Sequence, residues 1–349
     1  MAVMNAEFFH TVYGRHLLVN IPQIVPPPYL VVTMKDLWPK FSSQLETDAC
    51  RLYFVETLEA EHLDTALRNL PPVASVVGLG GGMALDVAKY FSWRKNLPLF
   101  QVPTSMSVNA AFAHRSGIRF GGRVRYIGFK VPEVVYVDYG IIQDAPPHLN
   151  RAGVGDIFCI HTAHADWKLA AQRSKAGVWP FDPELAAEAQ AVLQATRVKA
   201  REIHNVTEEG IRAVMQAHRW TGATYHNAGW NPRYIEGCEH FFFYSLEYLT
   251  RKHFVHGEPV CLGIIFMSHL QENDPEGIWR SIAEVGVRVR PEDMGVTWSD
   301  VAVALKKTRA YVEAEGWFYT TVNEREVPDA LIELVRERLL EEADAPEKS

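Results

Sequence analysis

The sequence predicts an α/β N-terminal domain built on a parallel sheet, followed by an all-α C-terminal domain. Three observations lead there. Short apolar runs rich in β-branched residues alternate with helical patterns over residues 1–148. Several of those runs end in glycine or proline. Beyond Ala145-Pro146-Pro147 the strand signals give way to long helical segments.

Taken in order, "YLVVTMKDLW" (29–38) reads as a strand leading into a helix, and "ASVVGLGGG" (74–82) as a strand ending in glycines. "LPLFQVPTS" (97–105) and "EVVYVD" (133–138) are further strands. "EHLDTALRNL" (61–70) and "ALDVAKYFSWRK" (84–95) carry helical patterns between them. "GIRFGGRVRYIG" (117–128), with Gly-Gly between alternating runs, predicts a β-hairpin. In the second part, Asp182-Pro183 and Thr207 ahead of Glu208-Glu209 are helix starts. The expected division is 1–148 for the α/β domain and 149–349 for the helical, metal-binding domain.

Composition narrows the function classes. The chain has 349 residues, 48% apolar and 22% charged, with net charge −7. That balance argues against a dedicated nucleic-acid surface, which needs a basic excess. Four scattered cysteines form no CxxC pair, so reduced thiols in a cytoplasmic protein are expected. No apolar run approaches the roughly 20 residues of a membrane span, and the start lacks a signal-peptide pattern.

Two turns suggest a nucleotide. Gly80, Gly81 and Gly82 join a strand to a helix, where backbone amides suit a phosphate. The same glycines serve equally well in a tight turn without a ligand. Thr104, Ser105 and Ser107 crowd the end of the next strand, and open α/β sheets bind ligands at the carboxyl ends of their strands. Arg115, Arg119, Arg123 and Arg125 follow; one of them, with Arg115 favoured, would hold an anionic substrate, and a solvated hairpin is the alternative.

Asp156, His240 and His256 form a set of one carboxylate and two imidazoles, which suits Zn²⁺ or Fe²⁺ and leaves positions open for substrate. Gly155 and Gly257 stand beside two of the three and would let the backbone pass close to an ion. A helix-start aspartate is by itself more often an N-cap, and His161 and His164, one turn apart, are more often structural.

"GLGGGMALDVAK", "VPTS", "AGVGD", "ADWKLA", "GCEH" and "HGE" occur in this order. Together they resemble the iron-containing alcohol dehydrogenase superfamily, which includes glycerol dehydrogenases and dehydroquinate synthases. The sn-glycerol-1-phosphate dehydrogenases look most similar. The resemblance implies a dehydroquinate synthase-like fold with the active site in a cleft, one divalent metal on Asp156, His240 and His256, and catalysis through that metal. It implies NAD or NADP over Gly80, Gly81 and Gly82, with Asp86, Thr104 and Ser107 nearby and Asp36 within reach of a ribose hydroxyl. It implies a homo-oligomer and a small-molecule substrate, a phosphorylated polyol of the glycerol-1-phosphate and dihydroxyacetone phosphate kind, near Asn109 and Tyr244, with Arg115 of the arginine run as the candidate contact for its phosphate.

Some positions depart from the family pattern. Met83 stands where a serine or lysine often follows the glycines, Asn109 where an aspartate is usual, and Ala113 where a hydroxyl is usual. Met34 replaces a common acidic residue, and Tyr244 replaces a second histidine one turn after the first ligand. The expected activity is metal-assisted hydride transfer between nicotinamide and a small polyol. A metal- and NAD-dependent sugar-phosphate cyclase or lyase is the alternative, and a nucleotide-binding relative without chemistry is a third reading.

Overall fold

In a computed structural model of the chain, the structure describes residues 9–344. They group into two compact units. One runs to Gly153 and takes in Glu202–Trp230; the other holds Val154–Arg201 and the chain from Asn231 onward. This division differs from the linear boundary expected at 148, because the helix Glu208–Asn227 returns to the first unit. Close backbone approach explains the return: a Cβ on Gly222 would stand 1.9 Å from the Phe112 carbonyl oxygen, and His218 Nε2 lies 2.8 Å from the Gly153 oxygen.

The first unit is built on a six-stranded sheet in which every pairing is parallel. Its strands are β1 (Thr11–Gly14), β2 (Tyr29–Thr33), β3 (Cys50–Phe54), β4 (Ser75–Gly80), β5 (Leu99–Pro103) and β8 (Val134–Asp138), in the order β1-β8-β5-β4-β2-β3. β2, β4 and β5 are buried along their whole length, as expected of parallel strands covered on both faces. The period of two is plain in β2. Leu30 and Val32 join one apolar cluster, which includes Val87 and Phe91 of the helix Gly82–Lys95, while Tyr29 and Val31 join another.

The chain steps from β2 outward to β3, then returns to β4 on the other side of β2 and continues through β5. The switch point thus lies between β2 and β4. β6 (Ser116–Phe120) and β7 (Arg123–Ile127) form the expected antiparallel hairpin. Gly121 and Gly122 have φ of +60° and +79° in its two-residue turn, as a type I′ turn demands.

The second unit contains no strand among the described residues and is helical. The helices Ile160–Gln172, Cys238–Thr250 and Gly257–Gln271 bear on the site described next. The predicted helix starts form as read. Asp182 accepts from the Glu184 and Leu185 amides, and, in the first unit, Thr207 accepts from Gly210. No helix among the described residues is long and apolar enough to cross a membrane.

Candidate metal centre

Three short-range choices in the second unit bring Asp156, His240 and His256 together. Asp156 is the second residue of the short helix Gly155–Phe158, whose N-cap is Val154. His240 sits in the first turn of the helix Cys238–Thr250, and His256 immediately precedes the helix Gly257–Gln271. The segments carrying Asp156 and His256 meet through glycine, since a Cβ on Gly155 would lie 2.5 Å from the Gly257 Cα. A side chain at either position would push the two segments apart.

His256 Nε2 lies 2.8 Å from Asp156 Oδ1, His240 Nε2 lies 3.6 Å from the same oxygen, and the two Nε2 atoms are 3.3 Å apart. Ligand bonds of roughly 2.1 Å place tetrahedral donors about 3.4 Å apart and cis-octahedral donors about 3.0 Å apart. The observed separations bracket those values, so the trio fits one divalent ion. Asp156 and His240 are buried and His256 is partly open, which leaves a side for substrate to approach.

The tautomer fits as well. Glu239 is fully buried, and its Oε1 lies 2.8 Å from His240 Nδ1 while accepting from the Gly237 amide at 2.8 Å. Its Oε2 accepts from Thr162 Oγ1 at 2.7 Å. With Nδ1–H donated to Glu239, His240 presents the Nε2 lone pair to the shared point. Burial opposes charge on the Asp156 carboxyl, but His256 and His240 facing it hold it well below the usual carboxylate range. Burial likewise disfavours the His240 imidazolium, yet the Asp156 and Glu239 hydrogen bonds raise it to about 10. Such a cluster attracts a cation of either kind, a proton or a metal.

A second buried carboxylate supports the same helices. Asp166 Oδ2 accepts from the Cys238 amide at 2.8 Å. Its Oδ1 accepts from the Thr321 amide at 2.7 Å, from the Thr321 hydroxyl at 2.5 Å and from Gln271 Nε2 at 3.1 Å. Asp166 thereby ties its own helix to the start of the helix bearing His240 and to the end of the helix that follows His256. Burial pushes its carboxyl up, and the Cys238 and Thr321 donors pull against that.

Glu236 and Tyr244 complete the surroundings. Tyr244 is buried, its ring lies 6.0 Å from that of His240 and stacks on Trp317 at 5.5 Å, and its hydroxyl donates to Glu236 Oε1 at 2.8 Å. Burial raises the Glu236 carboxyl, and His240 and His256 lower it.

Other tempting histidines lie elsewhere. His161 Nε2 is 2.6 Å from the Asn273 carbonyl oxygen, His164 packs edge-on against Phe181, and His253 is more than half exposed beside Glu247. Sequence reasoning assigned no role to Glu236, Glu239 or Asp166, although Asp166 falls in "ADWKLA", Glu239 in "GCEH", and Glu236 directly precedes "GCEH". Nothing in their spacing says which imidazole or amide each will meet.

The remaining candidates lie in the first unit. Gly80 ends β4 at φ +153°, Gly81 precedes the helix Gly82–Lys95, and the Thr104 amide donates to the Gly80 carbonyl at 3.0 Å. A Cβ on Gly80 would lie 2.7 Å from Ala84 Cβ, and one on Gly82 2.6 Å from Val108 Cγ1. At Gly81 it would meet only Ser105 Oγ, at 3.6 Å, so this glycine leaves room over the helix start. That helix has neither a side-chain cap nor an acidic residue in its first turn, and a phosphate suits such an end. Ser105 and Ser107 hydroxyls are 3.2 Å apart at the same edge.

Asp36, just after β2, is exposed. Asp86 is occupied internally, with Oδ1 3.1 Å from the buried Lys89 ammonium and Oδ2 accepting from the Gly117 amide at 3.2 Å. Asn109 opens a short helical turn, Asn109–Phe112. Arg115 lies over the Trp230 ring at 4.0 Å, and Arg119 donates to the Gly117 carbonyl at 2.9 Å.

Comparison with known proteins settles the family. Residues 35–146 match the iron-containing alcohol dehydrogenase family. A glycerol-1-phosphate dehydrogenase of Thermofilum pendens, named for NAD(P)+, is 32% identical over 290 residues, covering 80% of this chain and 82% of that one. The Saccharolobus solfataricus enzyme of the same name is 30% identical over 295 residues, covering 80% and 81%. The chain belongs to the iron-containing alcohol dehydrogenase family. The crystal structure of a probable glycerol dehydrogenase from Sinorhizobium meliloti superposes with a TM-score of 0.72 at 19% identity, over 97% of this chain and 98% of that one. The dehydroquinate synthase-like architecture expected from the motifs is therefore the family's fold, carried here at low sequence identity.

Proposed function

We propose that this member of the iron-containing alcohol dehydrogenase family is a metal-dependent, NAD(P)-linked oxidoreductase. It exchanges hydride between nicotinamide and a small polyol, phosphorylated in the manner of glycerol-1-phosphate and dihydroxyacetone phosphate. The observation that carries the reading is the convergence of Asp156, His240 and His256 on one point, with Glu239 fixing the tautomer of His240.

Asp156, His240 and His256 hold a divalent ion, zinc or iron. When bound, the ion supplies Lewis acidity toward a substrate oxygen and the nicotinamide supplies hydride exchange. The chain's own contribution is placement. Glu239 holds the proton of the neutral His240 ring on Nδ1 and so turns the Nε2 lone pair to the ion, Asp166 holds the helix starts in register, and the open side at His256 admits substrate. The Gly80–Gly81–Gly82 turn takes the cofactor pyrophosphate, with Thr104 and Ser107 at its edge. Asp36 favours NAD over NADP, since a carboxylate repels a 2′-phosphate. Arg115 is the candidate contact for a substrate phosphate, and Asn109 lies in the same segment. The four free cysteines accord with a cytoplasmic protein, and a homo-oligomer accords with the family.

Purified protein should contain, or take up, about one equivalent of Zn²⁺ or Fe²⁺. It should then oxidise NADH or NADPH stoichiometrically with a polyol-derived ketone. The screen compares dihydroxyacetone phosphate, phosphonoaldehydes and unphosphorylated ketones. Turnover without net change in cofactor would point instead to a sugar-phosphate cyclase, and failure to bind any divalent ion would overturn both readings.

A further inference from the structure

Beside the three ligands stands a carboxylate outside the ligand cluster. Glu236 is four residues before His240, and Tyr244 is four residues after it, with the helix start between them. The buried Tyr244 hydroxyl needs a partner, and Glu236 Oε1 provides it at 2.8 Å. The Tyr244 ring is fixed on its other side by the stack against Trp317. The pair therefore holds the Glu236 carboxyl in place rather than leaving it to swing in solvent.

Glu236 belongs to none of the donor clusters able to grip an ion, yet the Tyr244 that holds it has its ring 6.0 Å from that of His240. Glu236 is half-buried, and within the described residues Tyr244 is its one side-chain hydrogen-bond partner. One oxygen of a fixed, partly desolvated carboxylate thus remains to accept a hydrogen bond beside the cation site. A hydroxyl group satisfies such an oxygen. A phosphate or carboxylate group is repelled by it.

Resting on the dehydrogenase reading above, we propose that Glu236, held by Tyr244, is a specificity-determining residue that accepts a hydrogen bond from a second hydroxyl of the substrate. The substrate class is then a polyol or hydroxyketone with a free hydroxyl near the reacting carbon, and any phosphate lies at the end away from Glu236. Monohydric alcohols and simple ketones leave the carboxylate without a donor in a desolvated place. Loss of a site's hydrogen-bond partner is how enzymes reject substrates that lack a hydroxyl.

The test uses the full-length, metal-loaded enzyme and two ketones that differ by one hydroxyl, dihydroxyacetone phosphate and hydroxyacetone phosphate. Wild type should prefer the first in kcat/KM. Glu236→Gln should lower that preference roughly ten- to a hundredfold, the worth of a hydrogen bond to a charged group. Tyr244→Phe, which keeps the ring and frees the carboxyl, should lower it less and in the same direction. Calorimetric affinities of the two ketones, measured with metal and oxidised cofactor bound, should show the same loss without turnover.

Metal content is measured alongside. An unchanged preference in Glu236→Gln, or a loss that tracks loss of metal, overturns the proposal and leaves the dehydrogenase reading standing. If Glu236→Gln does not fold, an unchanged preference in Tyr244→Phe overturns it. A wild-type protein that binds no metal and reduces neither ketone sinks both.

Discussion

His256 and His253 stand three residues apart in one loop, and only His256 turns its Nε2 to Asp156. His256→Ala should abolish turnover and lower bound metal well below one equivalent. His253→Ala should leave metal content near wild type with a modest change in rate. Elemental analysis beside steady-state kinetics checks both, and the opposite ranking would mean that the wrong histidine has been assigned. Gly155 offers a backbone test of the same geometry. Gly155→Ala places a methyl 2.5 Å from the Gly257 Cα, contact with main chain that cannot rotate away. We expect a loss of roughly 1–3 kcal/mol in urea unfolding, the usual cost of overpacking, together with weaker metal binding.

Between elements, the buried Asp166 carboxylate does more than any single helix propensity. Its donors come from the start of the helix bearing His240, from the end of the helix following His256, and from Thr321. Asp166→Ala leaves those buried donors unsatisfied and should cost roughly 3 kcal/mol or more in chemical denaturation. Asp166→Asn keeps one acceptor oxygen and should cost less. The four strands read in the sequence form where read, because β-branched apolar runs between helices have few other places to go. β1 and β3 escaped notice. They are short edge strands, β1 only partly buried and β3 partly exposed, so their residues lack the continuous apolar run that marks β2, β4 and β5.

Stability of the whole chain should depend on pH through its buried histidines. His114 is buried against Phe9, Phe129 and His226. Burial, then the charges of His226 and Lys89, lower it from 6.5 to about 4. The unfolded chain therefore takes up a proton below about pH 6.5 that the folded chain refuses until about pH 4. This contribution to stability is present above pH 6.5 and declines as pH falls toward 4, by up to about 3 kcal/mol. Chemical denaturation across that range should show the decline, and His114→Phe should flatten it. Metal acts on the same equilibrium by mass action. Zn²⁺ at a hundred times its dissociation constant should add about 2.7 kcal/mol, visible as a rise in Tm that a chelator reverses.

By itself the sequence determined the order of the strands read in it, the hairpin turn and the helix starts, because each is written in local chemistry, and it pointed to Asp156, His240 and His256 as the proposed ligands through their residue types and the family resemblance. Glycine permits a turn, Asp and Thr cap a helix, and an alternating or continuous apolar run selects a face. Only the tertiary structure decided which residues support them. That Asp166 gathers donors from Cys238, Gln271 and Thr321 depends on packing between helices distant in sequence, whereas Glu239 with His240 and Glu236 with Tyr244 are near neighbours whose side chains meet only once the turn before the helix Cys238–Thr250 has formed. It also decided that Glu208–Asn227 rejoins the first unit. The pattern of an amphipathic helix says that one face must be buried, and leaves open which neighbour will bury it.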